Sequence, residues 1–293
     1  MAFLTIDETK CNQDGICAAE CPRRIITQAD GKSFPQVAEA DEAYCMTCGH
    51  CVAVCPHGAL SVAAVDIKDC PEIKGDLALS WDQATQFLRS RRSIRVFKKK
   101  AVDRETLKQL IETARYAPTA SNAQNLHWTV IEGRDKLEAL SQETINWMNR
   151  VIEAQPDSAA ADYFRPVVAR WTAGYDGILR TARTLIVASA PKESNNGLVD
   201  LSIALAYLEL AALPLGVGTC WAGFLRGAML ATPELVESMG LPEGHTWFYP
   251  MMIGYPKFKY HRLPERKAPV IHWRWEMRIS FSMPSGATIR HSR

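Results

Sequence analysis

Two cysteine runs near the N-terminus constrain this chain more than any other feature of its sequence. The second run, CMTCGHCVAVCP, has two, two and three residues between successive cysteines and then a proline; it contains Cys45, Cys48, Cys51, Cys55 and Pro56. Three thiols this close in one loop can reach the same polynuclear centre, and the Cys-Pro step turns the chain away from it. This spacing is that of paired [4Fe–4S] ligands, in which the fourth cysteine ligates the other cluster.

The first run, CNQDGICAAECP, begins 34 residues earlier and repeats this pattern with one change. It retains Cys11, Cys17, Cys21 and Pro22, but Asp14 occupies the position of the second cysteine. The two runs therefore form an internal repeat, and the question is what the aspartate does to its cluster.

The crossed ligation pattern predicts two ligand sets. The first set is Cys21, Cys45, Cys48 and Cys51. The second set is Cys11, Cys17 and Cys55, with Asp14 at its fourth corner. A carboxylate is harder than a thiolate and holds iron less tightly. We therefore expect either an Asp-ligated [4Fe–4S] cluster or a [3Fe–4S] cluster with Asp14 unligated; the alternative is a lost cluster beside a solvent-facing Asp14.

Other uses of the cysteines fit the spacing less well. Eight of the nine cysteines fall within the first 70 residues. A disulfide framework requires a secreted context, yet the start MAFLTIDETK shows no charged segment followed by an apolar one, as a signal peptide would. Zinc usually takes two separated C-x2-C pairs. The pattern favours iron–sulfur clusters in a reducing cytoplasm.

Composition permits one large or two ordinary domains with a substantial core. The chain has 293 residues, 47% hydrophobic content and a formal net charge of +2 with mixed signs, so nothing points to nucleic acid. The longest apolar stretch, LSIALAYLELAALPLGVG, follows Asp200 and contains Glu209 and Pro214. It is short of a clean membrane span and is interpreted as a buried helix that enters a strand.

Local patterns divide the chain into three parts. Residues 1–66 form the cysteine-rich module, in which FLTI and LSVAAV are expected to pair as strands; residues 67–79 are a linker; residues 80–293 form the larger domain. Helical and strand-like patterns intermix over about 210 residues from Ser80 onward, which predicts an α+β fold.

Two polar segments in the larger domain offer groups that can bind phosphate or the edge of a heterocycle, although arginine-rich helix ends are usually solvated. RRSIRVF contributes Arg91, Arg92, Ser93 and Arg95, and guanidinium forks bind phosphate in a bidentate manner.

The second segment, APTASNAQN, contributes Ser121, Asn122 and Gln124, whose amides can contact the edge of a heterocycle. The glycine-rich PLGVGTCWAGF lacks a full G-x-G-x-x-G, because Trp221 stands three residues after Gly218, so it does not predict a Rossmann site.

In this order, RRSIR, ARYAPTASNAQN, LGVGTCWAGF and LPERK resemble the nitroreductase family of FMN enzymes over residues 81–270, and residues 1–66 resemble a two-cluster bacterial ferredoxin. The whole chain is similar to a ferredoxin–nitroreductase fusion. The resemblance implies an α+β sandwich with a central sheet flanked by helices, and a homodimer with two FMN sites at the subunit interface.

The resemblance also implies which residues hold FMN. The flavin phosphate and ribityl chain are assigned to Arg91, Arg92, Ser93 and Arg95, with the late basic pair Arg266 and Lys267 on phosphate. The loop of Ser121, Asn122 and Gln124 reaches the flavin, and Ala222 and Gly223 lie by its ring. Asn125 stands where the family often has proline, which leaves the loop shape open. No catalytic side chain is assigned, because flavin N5 carries the hydride, and Cys70 and Cys220 receive no role.

The expected function is an oxidoreductase that passes electrons from the clusters through FMN to a small organic acceptor: a nitroaromatic, a quinone, an activated alkene or a halogenated phenol. Reduced ferredoxin or NAD(P)H is the expected donor. Two alternatives remain open: an NAD(P)H-dependent FMN reductase with the clusters as exit route, and a non-catalytic redox carrier or sensor.

Two further segments carry structural expectations. The aromatic-rich residues 146–180 are predicted either to cover the flavin, through Tyr163, Phe164 or Trp171, or to pack these rings in the core. Near the C-terminus, apolar and polar residues alternate from Trp273 to Met283, which predicts a half-buried strand. Its partner is either the second subunit, which we favour, or the ferredoxin-like module; the alternative is chance alternation in an irregular tail.

Overall fold

The computed structural model describes residues 3–29 and 31–273. The chain divides into two compact units, Met1–Tyr260 and His261–Arg293. The helices and strands of the described residues lie in the first unit. Apart from Trp273, the strand predicted over residues 273–283 lies outside the described residues.

The cysteine-rich module shows the sequence repeat in its backbone. Helices α1 (Ile16–Glu20) and α2 (His50–Val54) are related by the same 34-residue offset as the cysteine runs. Each helix follows a left-handed glycine, Gly15 with φ 71° and Gly49 with φ 70°. A side chain would be strained there, because only glycine adopts positive φ freely. The repeat is therefore structural as well as sequential.

Short antiparallel strands close this module around its own core. The strands are β1 (Leu4–Ile6), β2 (Ile26–Thr27), β3 (Gln36–Val37) and β4 (Leu60–Val62). Strand β1 pairs with β4 and β2 pairs with β3, which confirms the predicted pairing of FLTI with LSVAAV. A small cluster that includes Ile25, Val52 and Leu60 is buried between them.

The larger domain is built from one sheet and several helices. Its strands are β5 (His127–Glu132), β6 (Thr184–Pro191), β7 (Gly218–Trp221) and β8 (His245–Gly254). Its helices are α3 (Trp81–Ser90), α4 (Arg104–Ala114), α5 (Arg134–Ala154), α6 (Ala159–Thr172), α7 (Gly197–Ala212), α8 (Gly223–Ala231) and α9 (Pro233–Ser238).

The sheet is antiparallel and has the strand order β5-β6-β8-β7. Successive side chains of a strand point to opposite faces. Accordingly, Leu185 and Val187 of β6 join the core formed with α5, α6 and α8, whereas Ile186 and Ala188 join the core formed with α4 and α7. Helices cover both faces, which confirms the expected α+β sandwich.

The helix boundaries follow from capping chemistry. Ser80 and Gln83 form a reciprocal capping box at α3, and the Asp103 carboxylate accepts a hydrogen bond from the Thr106 amide at the start of α4. Pro233 opens α9, where its fixed φ suits the first helical turn, but the Thr232 side chain makes no capping bond.

The long apolar stretch forms α7 and then β7, as predicted. In the part of the chain that the structure describes, no helix combines the length and apolar character needed to cross a membrane.

Candidate cofactor sites

Two separate spaces lie among the cysteines. The lining of one includes four thiols: Cys21, Cys45, Cys48 and Cys51. The lining of the other includes three thiols and one carboxylate: Cys11, Cys17, Cys55 and Asp14. The structure thus brings together the same groups as the two ligand sets expected from crossed ligation.

The ionisation of the buried thiols reflects this grouping. Burial, together with the nearby Cys21 and Cys48, raises the pKa of Cys51 to about 11. Burial also raises the pKa of the Cys17 thiol, with Cys55 and Cys11 adding to the effect. Because thiolates are the ligands, metal loading must displace these protons.

Asp14 has a structural contact within its loop. Its carboxylate oxygen Oδ1 accepts a hydrogen bond of 3.1 Å from the Ile16 amide at the start of α1. Nearby, Asn12 and His57, which line the same space, form a side-chain hydrogen bond of 2.9 Å. Asp14 therefore both shapes the loop and borders the space.

The donor chemistry fits polynuclear iron–sulfur groups. In residues 3–29 and 31–273, no three His, Cys, Asp or Glu side chains converge on a position for a single metal ion. The thiols instead surround spaces, and they are free of disulfides. Thiolates are the usual ligands of [4Fe–4S] clusters.

The arginine-rich segment runs along the edge of the large sheet. Ser93 forms a parallel bridge with Thr219 of β7, and the Ile94 amide donates to the Thr219 carbonyl at 2.8 Å. The approach requires glycine at position 218, because a Cβ there would lie 2.3 Å from Ile94 Cγ1. The RRSIR segment is thus fixed to β7 by its backbone.

Arg91 makes an ion pair inside the domain. Its Nη1 lies 3.1 Å from Oε1 of Glu209, which is buried on α7. The same carboxylate accepts hydrogen bonds from Thr219 Oγ1 at 3.1 Å and from Trp221 Nε1 at 3.2 Å. Arg91 is therefore tied to β7 and α7, and a role toward phosphate remains a prediction.

The other arginines of the segment differ from Arg91. Arg92 donates to the backbone carbonyls of Arg89 and Arg91 at 3.0 and 2.7 Å. Arg95 is exposed. Burial raises the pKa of the nearby Cys220 thiol, whereas the charges of Arg95 and Arg180 lower it. Arg95 and Arg180 thus give this edge a positive field suited to an anion.

Sequence reasoning did not select Glu209 or Arg180 for the site. Glu209 carried a signal, since a carboxylate inside an 18-residue apolar stretch requires a buried partner. Arg180 carried none, because its left-handed backbone (φ 61°) depends on the tertiary fold.

The SNAQN loop has an unusual backbone. Ser121, Asn122 and Gln124 all have positive φ, at 53°, 55° and 48°. Such conformations are costly for residues other than glycine and persist where the surroundings enforce them. Here the buried Asp200 of α7 accepts a hydrogen bond from the Ala120 amide at 3.1 Å, and Thr119 Oγ1 accepts one from the Gln124 amide at 3.0 Å.

The side chain of Asn122 contacts the cysteine-rich module. Its Nδ2 donates to the backbone carbonyl oxygens of Met46 at 3.0 Å and Thr47 at 3.1 Å. Those two residues lie between Cys45 and Cys48. The loop expected to reach the flavin therefore lies directly against a loop predicted to bind a cluster.

Helix α7 connects both predicted flavin segments. Asp200 holds the loop at residue 120, and Glu209 holds Arg91. The two residues are nine positions apart, which is a rise of about 13.5 Å along the axis of the helix. The helix thus fixes the spacing between the arginine segment and the amide loop.

The glycine-rich segment ends at the start of α8. Ala222 is buried and its amide donates to the Pro250 carbonyl at 3.0 Å, while Gly223 is the first helical residue. A cavity of about 740 Å³ opens next to this position, lined in part by Tyr163 and Phe224, whose rings are 5.7 Å apart.

Three rings are expected either to cover the flavin or to pack in the core. Phe164 is buried in the core formed with α5, α6 and α8, and Trp171 is partly buried against that core. Tyr163 is exposed beside the cavity described above.

Arg266 and Lys267 lie in the second unit and are exposed. The Arg266 amide donates to its neighbour Glu265 Oε1 at 3.0 Å. Their expected phosphate role remains a prediction.

The remaining groups suit FMN in their chemistry. Arg95 and Arg180 provide positive charge at one edge, the 121–124 loop provides amides, and α8 begins beside the cavity. Asn125 also leaves its buried Oδ1 without a protein partner, so an acceptor remains available in this loop.

Comparison with known proteins identifies the class. Residues 88–255 match the Nitroreductase family, and residues 3–57 match a 4Fe-4S dicluster domain. The chain belongs to the nitroreductase family and is an oxidoreductase that carries an N-terminal iron–sulfur domain.

Individual relatives agree with this. A protein from Archaeoglobus fulgidus with the provisional name NADH dehydrogenase/NAD(P)H nitroreductase is 27% identical over 183 residues, which are 60% of this chain and 87% of that protein. The solved structure of a nitroreductase with bound FMN from Bacteroides fragilis has a TM-score of 0.52 at 22% identity and covers 65% of this chain and 99% of its own. An FMN-bound nitroreductase from Desulfitobacterium hafniense has a TM-score of 0.52 at 21% identity, and the match covers 64% of this chain and 97% of that protein. These structures establish the fold.

Proposed function

We propose that the protein takes electrons into two iron–sulfur clusters, passes them to FMN and reduces a small organic acceptor. The acceptor is a nitroaromatic, a quinone, an activated alkene or a halogenated phenol. The proposed iron–sulfur module is residues 1–66 and the proposed FMN domain is residues 80–293, joined by the linker 67–79.

One observation carries this proposal. Asn122, in the loop assigned to the flavin, is hydrogen-bonded to Met46 and Thr47, in the loop assigned to a cluster. Electron transfer requires the two redox groups to lie close together, and this contact is the arrangement such a route needs. The B. fragilis and D. hafniense relatives bind FMN, which supports the same cofactor here.

The protein's contribution to the chemistry is placement and charge. Bound FMN would supply hydride transfer from N5. Ser93 and Arg95 would hold its phosphate, Gln124 and the backbone around Ser121 its ring edge, and Ala222 and Gly223 its face. Tyr163 and Phe224 border the cavity in which we place a flat acceptor.

The electron donor is tested by rapid mixing without oxygen. The FMN-loaded protein is mixed with reduced ferredoxin in one series and with NADH or NADPH in another, and flavin bleaching is followed. We expect fast bleaching by reduced ferredoxin, followed by reoxidation when a nitroaromatic or quinone is added. If reduced ferredoxin does not reduce the flavin, or if the protein turns over no acceptor, the proposed function is wrong.

A second donor has specific support. The A. fulgidus relative carries NAD(P)H in its name. Direct reduction by a nicotinamide would make the clusters an exit route, and the same rapid-mixing series separates that function from the first. We also propose a homodimer, with FMN at the subunit interface as the resemblance implies; sedimentation of the flavin-loaded protein measures it.

A further inference from the structure

The two cluster loops share one backbone feature at equivalent repeat positions. Gln13 and Thr47, the third residues of the two cysteine runs, both have a left-handed backbone, with φ of 58° and 49°. In each loop the carbonyl of this residue accepts a hydrogen bond from a side-chain amide.

The source of that amide differs between the loops. Gln28 Nε2 donates to the Gln13 carbonyl at 2.9 Å, from a position 15 residues along the same module. Asn122 Nδ2 donates to the Thr47 carbonyl at 3.1 Å, from a position 75 residues away in the other domain. The first loop receives its hydrogen bond from within its own module, whereas the second loop receives it from the predicted flavin loop.

The contact at the second loop reaches a ligand sulfur through one peptide unit. Asn122 Nδ2 also donates to the Met46 carbonyl at 3.0 Å, and the amide of the same peptide unit, that of Thr47, donates to Cys45 Sγ at 3.4 Å. Hydrogen bonds in series polarise one another. Hydrogen bonds to ligand sulfurs are among the factors that set the potential of an iron–sulfur cluster.

We propose that the cluster of Cys21, Cys45, Cys48 and Cys51 is the one that reduces the flavin, and that Asn122 is the positioning residue that couples them. By holding and polarising the Met46–Thr47 peptide, Asn122 raises the reduction potential of this cluster and fixes its loop against the flavin loop. The Asp14 cluster then lies upstream and receives electrons from the donor. This inference rests on the proposed function.

The electron balance is simple. A one-electron donor, such as reduced ferredoxin, is oxidised as the Asp14 cluster is reduced, and the electron passes to the second cluster and then to FMN. Two such transfers, with protons taken from water, reduce one flavin fully. The organic acceptor removes both electrons.

Asparagine suits this position for a physical reason. It tolerates the left-handed region better than most residues, and its short side chain presents two N–H donors to adjacent carbonyls. The Asn122 amide itself donates to the Thr119 carbonyl at 3.0 Å, so its direction is fixed from within its own loop.

The test removes the donor and keeps the backbone. Asn122→Gly retains the φ of 55° without strain and deletes the amide. Each cluster's potential is measured by EPR-monitored redox titration, and an Asp14→Asn variant identifies which signal belongs to the Asp14 cluster. We expect the reduction potential of the other cluster to fall by about 59 mV, which is a tenfold change in the equilibrium constant for one electron. The fall is expected whether or not FMN is bound.

The matched control is Gln28→Met, which removes the equivalent donor from the other loop. It is expected to leave unchanged both the potential of the cluster of Cys21, Cys45, Cys48 and Cys51 and the rate of electron transfer from that cluster to the flavin after flash reduction. In Asn122→Gly that rate is expected to fall at least tenfold, because the two loops are no longer held together, even though the lower potential of the cluster by itself favours transfer to the flavin. Asn122→Asp, which has the same shape, replaces the Gly variant if that protein does not fold.

These measurements distinguish a failure of the Asn122 inference from a failure of the proposed function. If Asn122→Gly keeps the wild-type potential and the wild-type rate, the inference is overturned. If Gln28→Met slows the final step and Asn122→Gly does not, the order of the clusters is reversed and the inference is likewise overturned. If the wild-type clusters never reduce the flavin, the proposed function itself fails, whatever the Asn122 variants do.

Discussion

The side-chain nitrogen of Asn122 lies 3.1 Å from the carbonyl oxygen of Thr47, although 75 positions separate the two residues in the chain. This hydrogen bond joins the two segments in which the sequence places different redox cofactors. It therefore holds the iron–sulfur module and the nitroreductase domain together at the point where electrons are proposed to pass between them. Each part of that arrangement can be tested separately.

Arg91 and Arg95 are expected to act differently. Arg91→Ala leaves the buried Glu209 carboxylate without its cation, which costs about 1–3 kcal/mol of stability, partly reduced because Arg91 is 28% exposed. Arg95→Ala is expected to leave stability nearly unchanged and to lower FMN content. The double variant should lose most FMN and keep its iron. Thermal unfolding with flavin and iron analysis checks this, and full FMN occupancy in the double variant would refute the phosphate assignment.

Gly218→Ala tests the contact between β7 and the arginine segment. The new methyl group would lie 2.3 Å from Ile94 Cγ1 and 2.9 Å from Pro256 Cγ. We expect a loss of about 1–3 kcal/mol from overpacking and lower FMN content, because the displaced segment carries Ser93 and Arg95. Gly75→Ala, whose Cβ meets nothing within 4 Å, is the control. Equal melting temperatures and flavin contents in both variants would contradict the packing argument.

Asp14→Asn isolates the ligand role of the carboxylate. The amide oxygen can still accept the hydrogen bond from the Ile16 amide, so the start of α1 is retained. An amide is a poorer iron ligand than a carboxylate, so we expect the three-iron form of this cluster to accumulate in EPR spectra even after ferrous iron is added. Asp14→Cys should give a stable four-iron cluster. A wild-type content near four irons per chain would instead indicate that this cluster is absent.

His245 is expected to make stability depend on pH. Burial lowers the pKa of its imidazole, and the His127 ring 4.7 Å away lowers it further. The unfolded chain therefore binds a proton more readily, so stability is lost as pH falls from about 6.5 through the folded pKa. His245→Gln should show a flatter change in melting temperature between pH 7.5 and 5.5. A wild-type slope no steeper than that of the variant would contradict the assignment.

Local patterns in the sequence predicted the elements well. Short apolar runs correspond to β5, β6 and β8, and the capping residues Ser80 and Asp103 mark where α3 and α4 begin. These features depend on residues that are close in sequence, and so does the cysteine spacing. The two groups of thiols that line separate spaces could therefore be predicted from that spacing.

The contacts between distant segments could not be predicted in the same way. That Arg91 pairs with Glu209, and that Asn122 contacts Thr47, depends on how separate elements pack. The left-handed backbone of Ser121 and Arg180 is likewise enforced from outside the local sequence. The sequence predicts which loops form the site, but it does not predict the direction of each side chain.

The order of electron flow is tested most directly by a single-turnover experiment. The fully reduced protein, loaded with iron and FMN, is mixed without oxygen with a nitroaromatic or quinone acceptor, and flavin and cluster absorbance are followed together. The account predicts that the flavin is oxidised first and that the clusters are oxidised afterwards, at the rate at which they refill it. Clusters that are oxidised before the flavin, or at the same rate in FMN-free protein, would contradict it.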